Sequence, residues 1–317
     1  MDFSPAFSPA GDLEACLRRI AKPDLVWVPC FRQRDMAAAR RWCDRQRVPL
    51  LFDPLISAYD KQVWERFKLP DGSRQADRLL KRERTIFSMA DIVLADTACH
   101  AAFFSERLGV SPDKVRVVYV GADESLFSPA PAREPNSPAD VLFYGSFIPL
   151  HGAQTIIAAA RCYQGPPARW SLLGDGPAKQ ACVQAAAGLH NVFFEERLPY
   201  RELPARIRRA DILLGIFGTT MKAGRVIPNK VFQALASARP VVTRSSAAYP
   251  AEFQHHDALS CVPPGNAHAL AAAVASWLEH PDILPRRSNA ARDLFERHFS
   301  ARVILAQLSN ALATPVA

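Results

Sequence analysis

No stretch of this chain is apolar for long enough to cross a bilayer. The longest apolar runs, such as Ile-Leu-Leu-Gly-Ile-Phe within Asp211 to Phe217, fall far short of the roughly 20 residues a spanning helix needs. The N-terminus also lacks the basic-then-apolar pattern of a secretory signal, so a cytoplasmic protein is expected. Cysteine is scarce and unpaired in pattern. Its seven copies, at 16, 30, 43, 99, 162, 182 and 261, form no Cys-x-x-Cys motif, which argues against both a disulfide framework and a zinc site. Gly-x-Ser-x-Gly and Walker sequences are missing, and the eight histidines, His255-His256 included, make no set with Asp or Glu at ligand spacing. Hydrolase, nucleotide-triphosphatase and metal-dependent chemistries therefore have little to stand on, and no metal is expected.

What is present is enough for two α/β domains: 317 residues at 49% hydrophobic content can fill two cores. The formal charge of +8 is unevenly spread, with residues 1–137 contributing +2 and residues 138–317 contributing +6. Within 197–244, ten basic residues face two acidic ones, Glu202 and Asp211. Such a local excess suits an anionic ligand in a cleft, or a solvated basic face. Nucleic acid is not expected as a partner, because the basic residues are not interleaved with aromatics and no recognition motif accompanies them.

Phe127 to Asp140 carries prolines at 129, 131, 135 and 138 and little to bury, which marks a domain boundary. Beyond it, short β-branched runs alternate with helical patterns: Val141–Gly145, Trp170–Gly174, Val192–Phe194, Ile212–Phe217, Pro240–Thr243 and Leu259–Val262 read as strands. This alternation predicts a parallel sheet covered on both faces, with ligands at the C-terminal strand ends. The first half follows the same grammar, with strands at Leu25–Val28, Pro49–Phe52, Ile92–Ala95 and Val115–Val120. Helices are expected there at about 35–47, 57–68, 74–89 and 99–108. The last segment, about 288–313, reads as helical and is expected to cross back to the first domain. The domains are thus set at 1–137, 138–295 and a C-terminal helix at 296–317.

Three strand-to-helix loops carry the candidate chemistry. The first, Tyr144 to Gly152, contains Gly145, Ser146, His151 and Gly152, whose backbone amides and following helix N-terminus favour an anion. The second, Leu172 to Pro177, repeats the device with Gly174 and Gly176; either loop alone also fits a tight turn that binds nothing. The third, Gly215 to Lys230, holds Lys222, Arg225 and Lys230 before a helix opening at Pro228 and Asn229, an electropositive pocket for a diphosphate. In the first half, Asp53, Ser57, Asp60 and His100 follow strands and are candidates for acceptor contact or proton handling, or equally for helix capping. The helix around 35–47 has a basic side beside Met36, Ala39 and Trp42. It fits a peripheral contact with an anionic membrane, or a soluble helix that packs one face and solvates the other.

These loops have an order. Tyr-Gly-Ser-Phe-Ile-Pro-Leu-His-Gly at 144–152, Leu-Leu-Gly-Asp-Gly-Pro at 172–177 and Asn-Val-Phe-Phe at 191–194 are followed by Ala-Asp-Ile-Leu-Leu-Gly at 210–215. Pro-Asn-Lys-Val-Phe-Gln-Ala-Leu-Ala at 228–236, Arg-Pro-Val-Val-Thr at 239–243 and Phe-Glu-Arg-His-Phe-Ser at 295–300 complete the set. In order and spacing they resemble the donor-binding domain of the GT-B glycosyltransferases, specifically the retaining family 4. Gly-Ala-Asp-Glu-Ser-Leu-Phe-Ser-Pro at 121–129 resembles that family's passage into its linker. The resemblance implies an α/β protein of two Rossmann-like domains facing across a cleft, the N-terminal one shortened. It implies no cofactor: a nucleotide-diphosphate sugar is the donor substrate, and a glycan, lipid-linked or small-molecule hydroxyl the acceptor. It also implies retention, and a place in polysaccharide biosynthesis at the inner face of the membrane.

Four positions depart from the family pattern. Ser146 and His151 stand where members commonly carry an Arg and a Lys on the diphosphate. Arg225 and Gln233 stand where many have two glutamates, the first near the donor sugar and the second on the ribose. Gln233 can still hydrogen-bond a ribose hydroxyl, and the cationic duty is expected to have moved to Lys222, Arg225 and Lys230. A nucleotide-sugar epimerase and a catalytically silent nucleotide-sugar-binding protein remain as alternatives.

Overall fold

The structure, a computed structural model, describes residues 21–129, 136–253 and 255–313. Most of the N-terminal segment 1–22 and the centre of the proline-rich stretch lie outside the described residues. Contacts divide the chain into two units, the first ending at Val118 and regaining the chain from Leu308, the second running from Tyr119 to Gln307. Tyr119 to Pro129, which the sequence reading groups with the first domain, thus pack with the second unit.

In the first unit four strands, β1 (Val26–Val28), β2 (Leu50–Phe52), β3 (Ile92–Ala95) and β4 (Val115–Val117), pair in parallel in the order β1-β2-β3-β4. β2 and β3 are buried at every position, as strands covered on both faces must be. Helices α1 (Met36–Gln46), α2 (Arg74–Ser88) and α3 (Ala98–Glu106) pack one face of the sheet through Met36, Trp42, Leu80, Phe87 and Phe104. Ser73 and Thr97 cap the last two by accepting from Ala76 N and His100 N. Met36, Ala39, Trp42 and Cys43 of α1 are all buried, so its apolar side fills this core and only the opposite side, with Arg41 and Arg45, is exposed. The helix expected over 57–68 is a shorter, wider π-helical turn at Asp60–Glu65. Glu83 of α2 fixes its start, accepting from Ala58 N (2.7 Å), Tyr59 N (2.9 Å) and Ser57 Oγ, and Phe67, at φ +51°, ends it.

The second unit has six parallel strands: β5 (Ala139–Tyr144), β6 (Ala168–Leu173), β7 (Val192–Glu195), β8 (Ile212–Leu214), β9 (Val241–Arg244) and β10 (Leu259–Val262). Their order is β10-β9-β8-β5-β6-β7, so the direction of winding reverses between β5 and β8. This is the strand order of the doubly wound nucleotide-binding fold, whose ligands sit where the order reverses. Helices α4 (Ala153–Cys162), α5 (Lys179–Ala185), α6 (Leu203–Arg209), α7 (Asn229–Ala236), α8 (Ala267–Leu278) and α9 (Leu284–His298) cover it. The core gathers Val141, Phe143, Phe147, Trp170, Phe217 and Trp277. The helix expected over 288–313 is two, α9 and α10 (Ala301–Ala313), broken at Phe299-Ser300, where Phe299 packs edge-on against Phe232 and Phe253. Among the described residues no helix is long and apolar enough to cross a membrane.

A buried charge network braces this sheet. Arg206 of α6 grips both oxygens of Asp140 (2.6 and 3.2 Å) and both of Glu195 (2.7 and 2.8 Å), and Ser171 Oγ donates to Asp140 (2.8 Å). The guanidinium's hydrogen bonds hold the Glu195 carboxyl below its ordinary range despite partial burial.

Candidate functional site

The loops after β5 and β8 flank the point where the strand order reverses, and their backbones touch. Phe217 N donates to His151 O (2.9 Å), and a Cβ at Gly152 would lie 2.4 Å from Gly218 N. Gly152 has φ +64° and opens α4 after a short turn over Pro149–His151. Gly145, at φ +153°, ends β5; a Cβ there would meet His151 Cε1 at 2.8 Å and Lys230 Nζ at 3.0 Å. Glycine at this position therefore lets the imidazole and the lysine Nζ approach the strand end together. Ser146 is exposed next to it. Gly174 and Gly176 belong to the same assembly for packing reasons. Cβ atoms on them would lie 2.2 Å from Gly145 O and 2.6 Å from Phe147 N, so the second glycine loop supports the first from behind the strand ends.

α7 supplies the other wall. Pro228 precedes its first turn with φ −72°, Val231 N donates back to Pro228 O (2.8 Å), and Asn229 is exposed at the helix start. Lys230 is 7% exposed. Among the described residues its Nζ finds no hydrogen-bond partner, and it lies 4.2 Å from the centre of the Phe143 ring and 5.9 Å from that of Tyr144. Burial alone pulls this amine down to about 7. Gln233 is held one turn on, accepting from Tyr144 Oη (2.8 Å) and donating to Tyr200 Oη (3.3 Å).

Lys222 and Arg225 sit on the turn between β8 and α7. Lys222 is buried, whereas Arg225 is half-buried, so the two do not present equal faces to solvent. β9 steadies this turn: Ser246 Oγ donates to Gly224 O (2.7 Å), and Arg244 donates through Nη1 to Gly218 O (2.7 Å). Arg244, at the end of β9 and 9% exposed, is a cation that sequence reasoning passed over, since the matched motif Arg239 to Thr243 stops one residue short of it. Burial lowers its guanidinium from the ordinary value. Its position at a C-terminal strand end was the available signal. Gly145, His151, Gly152, Gly218, Gly224, Lys230 and Arg244 thus form one connected constellation, rich in basic side chains.

The candidates of the first unit form a separate cluster of a different kind. His100 is fully buried at the start of α3, its Nδ1 bonded to Asp96 and its Nε2 3.7 Å from Asp60, also fully buried. Burial pulls the imidazole toward neutrality, but the two carboxylates more than reverse this and hold it up to about 8. The Asp53 carboxyl, half-buried after β2, is raised by burial and by repulsion from Asp96. Ser57 donates to Glu83 and accepts from Asp60 N (3.1 Å), so its hydroxyl caps the turn that follows. Asp60 and His100 face each other inside the core, and Ser57 is 1% exposed. Among the described residues, no group of three or more His, Cys, Asp or Glu is placed to hold a metal ion.

Comparison with known proteins gives the family and the fold. A family model described as "Glycosyl transferases group 1" matches residues 138–280, and one described as "Glycosyl transferase 4-like domain" matches residues 3–121. Among curated proteins, the chain is 26% identical over 215 residues to the "Putative colanic acid biosynthesis glycosyltransferase WcaL" of Escherichia coli (strain K12). That match takes in 65% of this chain and 53% of WcaL, so the chain spans about half the length of the curated relatives it matches. Among solved structures, Anabaena Alr3699/HepE in complex with UDP is similar with a TM-score of 0.69 at 17% identity, over 92% of this chain and 79% of that one. Sucrose-phosphate synthase (tll1590) from Thermosynechococcus elongatus has a TM-score of 0.68 at 20% identity, over 91% and 73%. At such identities these likenesses show the fold, two Rossmann-like domains. The two family models meet that fold over most of the chain, and the chain belongs to the GT-B glycosyltransferases, family 4-like.

Proposed function

We propose that this protein transfers a sugar from a nucleotide-diphosphate donor to a hydroxyl of a glycan, lipid-linked or small-molecule acceptor. The observation that carries the reading is the cation-rich constellation around Gly145 and Lys230, at the reversal of strand order. The diphosphate would lie against Gly145 and Gly152 and the start of α7, with Lys230 as its nearest cation and Lys222, Arg225 and Arg244 behind the loop. UDP in the HepE structures and the colanic acid pathway in the name of WcaL support a nucleotide donor and a polysaccharide-type acceptor.

In this reading the bond from the sugar's anomeric carbon to the diphosphate breaks, and its electron pair leaves with the phosphate. The acceptor hydroxyl attacks from the same face, giving retention, and its proton passes to the departing phosphate oxygen. The protein's contribution is then electrostatic stabilisation of the charge growing on the diphosphate, which cations of this site supply without a metal. Asp53, the least buried of the first-unit candidates discussed above, would make the acceptor contact; Ser57, Asp60 and His100 would act by holding its surroundings. Contact with an anionic membrane at the cytoplasmic face would rest on the exposed basic side of α1, since its apolar side is taken up by the core.

Calorimetry and thermal shift with UDP-glucose and GDP-mannose, followed by product analysis with an acceptor panel, test the proposal. Binding with acceptor-dependent turnover and retained anomeric configuration is expected, unchanged by EDTA. The Lys222→Ala/Arg225→Ala variant is expected to lose at least tenfold in kcat/KM, on the order of 1.4 kcal/mol or more. Unchanged affinity and turnover would remove those two cations from the site. Binding without turnover on any acceptor would indicate a silent binding protein, and conversion without acceptor an epimerase.

A further inference from the structure

Lys230 is an anomaly in a basic site. Two other well-covered basic side chains of this protein have carboxylate partners: Arg206 holds two, and His100 lies between two. Among the described residues Lys230 has neither hydrogen bond nor carboxylate at its Nζ, and the groups near that nitrogen are the Phe143 and Tyr144 rings, the His151 imidazole and the open side of Gly145. The titratable groups on the elements packed against α7 do not supply a counter-charge. Tyr144 Oη is turned to Gln233 and Lys230 O, and its phenol is raised well above the ordinary value by burial. Tyr200 meets Gln233 rather than the amine. From α9, Arg292 reaches Ala236 O at the opposite end of the helix. The adjoining turn brings Lys222 and Arg225, which are themselves cationic, and β9 brings Arg244. Two aromatic faces are a partial substitute for a counter-ion.

We infer that Lys230 is charged by its ligand: the anion that enters at Gly145 brings a proton with it, taken up by Lys230 Nζ, so donor binding and protonation are one coupled event. This deepens the donor site proposed above and rests on it. The physical reason is that an ammonium ion here is desolvated with nothing to compensate it until a phosphate oxygen arrives, whereas the amine is tolerated among rings. The amine's position near 7 makes the coupling visible in an accessible range. At pH 8 about one free protein in ten carries the charge, so binding draws close to one proton per site; at pH 6 it draws about a tenth of one. The affinity is then expected to fall about tenfold per pH unit above 7. A site of this design also discriminates: a neutral ligand of the same shape cannot pull the proton in, and gains nothing from Lys230.

UDP-glucose and GDP-mannose are suitable probes because both of their phosphates are esterified and do not titrate between pH 6 and 9. Binding enthalpies at pH 8 in phosphate and in Tris, buffers of different ionisation enthalpy, give the number of protons taken up. The wild type is expected to take up close to one. Lys230→Arg, charged at every pH tested, is expected to bind with no uptake and with an affinity flat from pH 6 to 9. Lys230→Met, uncharged and of similar length, is expected to show no uptake and at least tenfold weaker binding at pH 6. Thermal unfolding of each variant establishes that it is folded. Wild-type binding with no uptake at pH 8, or an uptake that survives in Lys230→Met, overturns the inference while leaving the donor site standing. If neither nucleotide sugar binds the wild type at any pH, the donor site itself falls and the inference with it.

Discussion

The Asp96–His100–Asp60 cluster makes a stability prediction whose sign can be worked out. In the folded chain His100 titrates at about 8, against about 6.5 for an unfolded histidine. The folded state therefore holds a proton that the unfolded state has released between these values, and stability falls as pH rises through that window. The full contribution is present below pH 6.5 and is lost above about 8; a shift of about 1.5 units corresponds to roughly 2 kcal/mol. Because His100 and Asp60 are both fully buried, solvent does little to screen this interaction. Substituting His100→Gln keeps the approximate shape but strands Asp60, so at pH 6.5 the variant is expected to be about 3–5 kcal/mol less stable than wild type. The decisive measurement is the difference between the two as a function of pH, from urea melts at intervals between 6.5 and 9. It should shrink by about 2 kcal/mol, equivalent to some 4–8 °C in melting temperature, with its inflection midway between 6.5 and 8 and a plateau above. Asp60→Asn, which removes one of the two carboxylates, should move that inflection downward. A difference independent of pH would refute the reasoning, because it would mean that His100 is neutral between its neighbours and that packing alone explains its place.

Two further substitutions probe the second unit. Arg206→Met would leave Asp140 and Glu195 without their shared guanidinium and is expected to cost about 3–5 kcal/mol by denaturant titration at pH 7, with part of the loss recovered as pH falls through the carboxylate range; a cost under 1 kcal/mol would mean the network is solvated. Gly152→Ala combines a left-handed backbone with a Cβ 2.4 Å from Gly218 N, and a loss of about 2–4 kcal/mol is expected from the two together; a melting temperature within 2 °C of wild type would show that the two loops are free to separate.

The sequence shows the fold well because both of its main signals are local. Apolar runs such as Val141 to Tyr144 and Ile92 to Ala95 have to be strands in a sheet covered on both faces, and the prolines and glycines between them mark the turns. Where the reading departs from the structure, tertiary contacts decide. The 57–68 segment has a helical composition, but Glu83 holds its first amides and Phe67 ends it in a left-handed conformation. The single helix expected at 288–313 breaks because Phe299 is pulled into an aromatic cluster with Phe232 and Phe253. The site is legible in its loops and less so in its charges. Charge counting treats Lys222, Arg225 and Lys230 as equals, yet burial separates them, and nothing in the local sequence distinguishes a lysine whose amine lies over Phe143 from one in water. Arg244 and the Arg206 network are invisible for the same reason, being made by residues 11 to 66 positions apart.

Lys230 and His100 place buried cations under opposite rules, and the contrast yields the sharpest stability expectation. His100 is held above its unfolded value, so it stabilises the fold at low pH. Lys230 is held at about 7 against 10.5, so the unfolded state carries the extra proton between those values and stability rises with pH across the window. Below pH 7 the fold bears the whole penalty, on the order of 5 kcal/mol. Lys230→Met removes that penalty while filling the same space, so at pH 6.5 it is expected to be more stable than wild type, by an amount that declines as pH rises toward 10. A site residue whose removal strengthens the fold is what a group kept for binding should look like, because its cost is borne in the free protein and recovered only when a ligand arrives. The measurement is a pair of urea titrations, at pH 6.5 and 9.5, on both proteins. Should Lys230→Met prove less stable at pH 6.5, the amine would have to be earning its place through contacts within the fold, and the argument that it waits for an anion would fail with it.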